Sequence, residues 1–127
     1  MARYRYIVNK TCEFEALHVI QGLSERHPES QLHGHKFTLD ITLSTFDLDE
    51  VGMILDPLVF DSLQAKVNRA TDLGKILATN PTVELLAKYF MDHMNLVLLN
   101  AEAQDEVRVE KVTVTADGMS ATIEIVP

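Results

Sequence analysis

His33-Gly34-His35-Lys36-Phe37-Thr38-Leu39-Asp40-Ile41-Thr42-Leu43 alternates without a break. Its odd positions hold histidine or large apolar side chains, and Lys36, Thr38, Asp40 and Thr42 stand between them. A period of two sends successive side chains to opposite faces, so the segment reads as a strand with one face in a core. That core face begins with two imidazoles. Upstream, Ala2, Tyr4, Tyr6, Val8, Cys12, Phe14, Ala16 and His18 share one parity, and Arg3, Arg5, Asn9, Thr11, Glu13 and Glu15 share the other. This is a second long strand with one buried and one solvated face. The polar segment between them, Gln21 to Ser30, carries Gly22 and Pro28 and reads as the connecting loop.

Asp56-Pro57 has the form of an N-cap followed by proline in the first helical turn. Phe60, Leu63, Val67 and Ala70 then recur at helical steps, predicting a helix to about Thr71. Asn80-Pro81 repeats the cap signal, with Leu85, Leu86, Tyr89, Phe90, His93 and Val97 as the expected apolar stripe. Two strands follow, 107–115 and 120–126, with Asp117-Gly118 as the hairpin turn. The apolar parity shifts between Val107/Val109 and Val112/Val114, which predicts a bulge near Lys111. Strands grouped apart from helices give an α+β domain over residues 1–127: four antiparallel strands with two helices on one face.

The 127 residues are 46% hydrophobic and 24% charged, the composition of a globular domain large enough to build its own core. No apolar run reaches the roughly 18 residues of a membrane span, and the first residues lack the apolar core of a signal peptide. One cysteine, Cys12, excludes a disulfide within the chain and points to the cytoplasm. Its place on the apolar parity makes it a packing residue. The formal charge of −8 argues against a nucleic-acid or anionic-membrane surface.

His18, His33 and His35 all fall on core faces, and antiparallel pairing across the loop brings them together. Two readings stay open. Each imidazole is a hydrogen-bonded core residue, or the three form a zinc shell with a fourth position for water or substrate. His27 lies in the polar loop and reads as solvated. His93 and Asp92 are adjacent on one helix and cannot face each other, so they read as structural.

The segments Phe14-Glu15-Ala16-Leu17-His18, Leu32-His33-Gly34-His35, Gly52-Met53-Ile54-Leu55-Asp56 and Pro81-Thr82-Val83-Glu84-Leu85-Leu86-Ala87 give the chain a resemblance to a known family. In this order they resemble the 6-pyruvoyl-tetrahydropterin synthase and 6-carboxytetrahydropterin synthase family of the T-fold superfamily. The resemblance implies a ββααββ subunit that assembles into trimers, usually stacked as hexamers. It implies Zn2+ bound by His18, His33 and His35, and a lyase reaction on dihydroneopterin triphosphate in queuosine-type or related pathways. Thr82 is the substrate-contact candidate that it carries.

The chain departs from the family's catalytic pattern. The family cysteine, four residues before the first histidine of H-G-H, is Glu29 here; a branch with glutamate at this place is linked to side-chain cleavage toward 6-hydroxymethyl-dihydropterin. The family Asp-His pair reads Asp72-Leu73, which keeps the carboxylate and loses the imidazole. The glutamate that anchors the pterin ring, with its following threonine, aligns with Ala116-Asp117. Glu29 and Asp72 are therefore the catalytic candidates. Arg26, Lys36 and Lys75 are candidates for phosphate contact. One reading is a zinc-dependent pterin lyase with Glu29 as base. The other is a zinc-binding paralogue that no longer catalyses pterin chemistry.

Overall fold

Alternation at the head of the chain produces two paired strands, β1 (Tyr6–His18) and β2 (His33–Thr45). They run antiparallel with Phe14 opposite Phe37, Ala16 opposite His35 and His18 opposite His33. The computed structural model describes residues 3–61, 72–100 and 106–127. Strands β3 (Arg108–Ala116) and β4 (Met119–Glu124) complete a sheet of order β1-β2-β3-β4. The helices are α1 (Leu73–Leu77) and α2 (Val83–Asn100). Phe37, Leu39, Ile41 and Leu43 from β2 and Val112 and Val114 from β3 pack in one core with Leu86, Phe90 and Met94 of α2. The four-stranded antiparallel α+β architecture is the expected one.

The expected bulge is present, one residue early. Thr42 pairs with Lys111 but Leu43 pairs with Val109, so Glu110 is the extra residue. Because of it Val109 and Val112 both face the core although they differ in parity. The Asp117-Gly118 turn also forms as read, with φ of 52° and 76°. These left-handed values at both central positions suit a two-residue hairpin.

Three expectations need correction, and a fourth falls mostly outside the described residues. Only the second half of β1 has a buried face, because Tyr4, Tyr6 and Val8 are exposed where β1 forms the open edge of the sheet. The first helix is described only at its start, a 3-10 turn over Pro57–Phe60 capped by the Asp56 side chain, and Leu63, Val67, Ala70 and Thr71 lie outside the described residues. Thr82, not Asn80, caps α2: its Oγ1 accepts from Leu85 N. On α2 the fully buried positions include Ala87, Met91 and Met94, whereas Leu85 is exposed and His93 half-buried. Small and thioether side chains share that interface with Leu86 and Phe90 of the expected stripe. Helix α1 was not legible as an element. No helix among the described residues is long and apolar enough to cross a membrane.

Cys12 is buried as expected, and burial pushes its thiol pKa up, away from reactivity. The bulge residue is stabilised differently. Glu110 accepts hydrogen bonds from Ser44, which is 1% exposed, and pairs with Arg5. The Ser44 bond, then the Arg5 and Arg108 charges, hold its carboxyl below the usual range. A depressed carboxyl stabilises the fold above its ordinary pKa, and this contribution fades as pH falls through and below about 4.3. Glu110→Ala leaves the Ser44 hydroxyl buried without this acceptor, at an expected cost of about 1–3 kcal/mol. Urea denaturation at neutral pH should show that loss, and the gap between wild type and variant should narrow in acid.

Candidate metal centre

The register of β1 and β2 sets His18 directly across from His33, and His35 follows two residues on along the same face. Ring centroids are 4.5 Å apart for His18 and His33, 4.6 Å for His18 and His35, and 4.3 Å for His33 and His35. Phe37 closes the floor edge-on, 5.5 Å from His18 and 6.0 Å from His35. Three imidazoles therefore converge at the end of the apolar core.

Their outer nitrogens fix their inner ones. His18 Nδ1 is 3.3 Å from the Pro81 carbonyl oxygen, and His33 Nδ1 is 2.5 Å from that of Gln31. A carbonyl only accepts, so both Nδ1 atoms carry the proton and both Nε2 atoms present lone pairs. Those two Nε2 atoms face each other at 3.0 Å. Two acceptors hold that distance only with a proton or a cation between them. Burial, aided by the His35 and His33 charges and opposed by the Pro81 bond and, least of all, by Glu29, pushes the His18 pKa down. The proton is thus the weaker claimant at neutral pH. His35 Nε2 is buried and lies 3.0 Å from Asp117 Oδ2, but the approach is too oblique for a hydrogen bond. An orphaned ring nitrogen beside two opposed lone pairs fits a metal ion.

Glu29 completes the group. Its carboxylate lies 3.4 Å from His18 Nε2, 3.5 Å from His33 Nε2 and 3.7 Å from His35 Nε2. One ligand atom from each of His18, Glu29, His33 and His35 lies within 4.8 Å of the others. Three imidazoles and a carboxylate suit zinc and neighbouring divalent ions. The loop presents Glu29 in a 3-10 turn, Pro28–Ser30, whose cap is His27: its Nδ1 accepts from Glu29 N at 3.1 Å. Glu29 O accepts from Ile20 N at 2.7 Å, fastening the turn to the end of β1. His27, read from the sequence as merely solvated, holds the backbone of the site.

Asn80-Pro81 also has a different task from the one its sequence suggests. The Asn80 side chain accepts from Gln21 N at 2.7 Å and donates to Gln21 O at 3.0 Å. That clamp fixes Pro81 so that its carbonyl meets His18. Strand alternation alone would point Asp117 away from the site, on the face opposite to that of its neighbour Ala116. Its left-handed backbone turns the side chain back toward His35 instead, and no parity argument could have shown this.

The remaining candidates scatter. Asp72 caps α1 through Gly74 N at 3.1 Å and borders a separate cleft with Gln21, Lys75 and Asn80. Leu73 is fully buried in the core. Thr82, Glu84, Ala116, Asp117 and Met119 line the mouth above His18 and Glu29. Lys36 pairs with Glu13 at 3.1 Å, Lys75 lies at the Asp72 cleft, and Arg26 is exposed in the loop. Asp92 pairs with Lys88 at 2.7 Å and His93 stacks on Tyr89, so neither enters the site.

A family model described as 6-pyruvoyl tetrahydropterin synthase matches residues 7–124. Among solved structures, the 6-pyruvoyl tetrahydropterin synthase of Caenorhabditis elegans superposes with a TM-score of 0.70 at 20% identity, covering 99% of this chain and 100% of that one. An uncharacterized protein from Wolinella succinogenes gives 0.71 at 14% identity, covering 95% and 98%. A Plasmodium vivax 6-pyruvoyltetrahydropterin synthase, in a form with a catalytic glutamate replaced by alanine, gives 0.56 at 12% identity, covering 94% and 99%. No curated protein matches the chain by sequence.

Removing one imidazole tests the centre without touching the core, because His33 is only half-buried. His33→Ala should weaken binding of Zn2+ by more than about 100-fold, beyond the cost of losing an outer partner. Titration against a chelator measures this, and circular dichroism of the metal-free protein should stay unchanged.

Proposed function

The chain belongs to the 6-pyruvoyl tetrahydropterin synthase family, and from that premise we propose that it is a zinc-dependent pterin-processing lyase acting on dihydroneopterin triphosphate. The observation that carries this reading is the convergence of Glu29 with His18, His33 and His35. Loss of the family cysteine then leaves the site with a base, because a carboxylate stands in its place. A glutamate is also the catalytic residue named for the Plasmodium vivax relative.

In this reading His18, His33 and His35 hold Zn2+, which when bound supplies Lewis acidity toward the side-chain oxygens of the substrate. Glu29 accepts the proton that leaves the side chain as triphosphate departs. The Pro81 and Gln31 carbonyls hold two of the imidazoles in the tautomer that leaves Nε2 free. Thr82 lies at the mouth, where a pterin would enter. Asp72 caps α1 within the subunit, and a catalytic part for it requires another subunit's site. The open edges at β1 and β4, with Tyr4, Tyr6, Ile7 and Val8 exposed, support assembly into a trimer-based homo-oligomer. The single buried cysteine supports a cytoplasmic setting.

A second reading, a zinc-binding paralogue without pterin catalysis, is favoured by one feature. Asp72-Leu73 provides a helix cap and a core leucine where the family pattern has an acid and an imidazole. Metal-loaded protein incubated with dihydroneopterin triphosphate should release inorganic triphosphate, and Glu29→Ala should slow release by about 10²–10⁴-fold. Chromatography of the pterin product separates elimination from side-chain cleavage. Absence of release from metal-loaded wild type would select the second reading.

A further inference from the structure

We propose that Glu29 is itself the fourth ligand of the ion held by His18, His33 and His35. In the resting protein its carboxylate closes the shell and must leave before another ligand enters. The inference rests on the metal reading above. Ligands of a tetrahedral zinc-type ion lie about 2.1 Å from it, which sets their mutual separation near 3.4 Å. Glu29 Oε2 is 3.4 Å from His18 Nε2, and Oε1 is 3.5 Å from His33 Nε2 and 3.7 Å from His35 Nε2. One carboxylate therefore stands about one ligand–ligand edge from all three imidazole nitrogens. A base reaching toward a substrate from outside the shell has no need of that relation. Asp117 lacks it, since its carboxylate meets His35 alone and is 62% exposed.

The loop holds Glu29 in this place through its backbone. Both its N–H and its carbonyl are engaged, by His27 Nδ1 and Ile20 N respectively. The side chain can then swing off the ion while the turn stays fixed. Ligand exchange and arrival of the base become one event, because the group displaced is the group that takes the proton. A closed shell also keeps stray anions and water off the ion until a better ligand competes.

The test uses metal-free wild type, E29A and H33A, titrated first with Co2+, whose visible absorption reports its ligands, and then with azide. E29A should bind Co2+ at least about tenfold more weakly than wild type, and azide should perturb its spectrum at concentrations at least about tenfold lower. An azide response equal in wild type and E29A, with Co2+ binding lost in H33A, overturns the fourth-ligand assignment and leaves the metal reading standing. Failure of wild type to take up Co2+ overturns both. Circular dichroism of E29A shows that the loop variant is folded.

Discussion

Two imidazole nitrogens that face each other with lone pairs, because their partners across the ring already donate to carbonyls, repel unless something positive lies between them. Much of the local chain sustains that arrangement. Register between β1 and β2 puts His18 opposite His33. The Gln21–Asn80 clamp presents the Pro81 carbonyl, and Gln31 closes on His33 from the strand's own entry. Hydrogen bonds to a ring nitrogen that is not a ligand orient the one that is. The helix start, the loop end and the strand pair thus fix one geometry together. Unliganded, that geometry would weaken this end of the core.

The part of this legible in the sequence is the part that depends on periodicity. Alternation in β1 and β2 placed His18, His33 and His35 on one face, and the parity break in β3 located the bulge to within one residue. Resemblance of the Phe14–His18 and Leu32–His35 segments to a family then gave the element order a name. Residues whose roles depend on tertiary contacts were not legible. Asn80 carries the local signature of a helix cap, yet its side chain is more fully used against Gln21 across 59 residues. His27 looks solvated because its work is done on backbone two residues away. The exposed half of β1 keeps its apolar alternation although none of the described residues covers it, since periodicity reports which faces are apolar and not what covers them.

Asp117 shows the limit most sharply. Alternation assigns Ala116 and its neighbour to opposite faces, and that argument holds only while the backbone remains extended. At φ of 52° it does not. A turn chosen for its hairpin geometry delivers a carboxylate to the mouth of the site, beside the alanine that stands where the family keeps a glutamate. The carboxylate that the linear alignment loses reappears nearby in space, 3.0 Å from the His35 Nε2 that Glu29 also approaches.

Charge at that mouth constrains how the site can be used. Glu29, Glu84 and Asp117 line it, and no Lys or Arg is among its described lining residues. In the proposed reading a bound dication would be balanced by Glu29 and Asp117, leaving little net positive charge with which to draw a triphosphate. A substrate with a polyphosphate tail would therefore point that tail away from these carboxylates, toward basic groups beyond the described residues of this mouth. In the proposed reading the neutral ring and side chain would enter against the ion, and recognition would be divided, with oxygen ligands read at the metal site and the anion read elsewhere. The acidic mouth resists any ligand that presents its phosphates first.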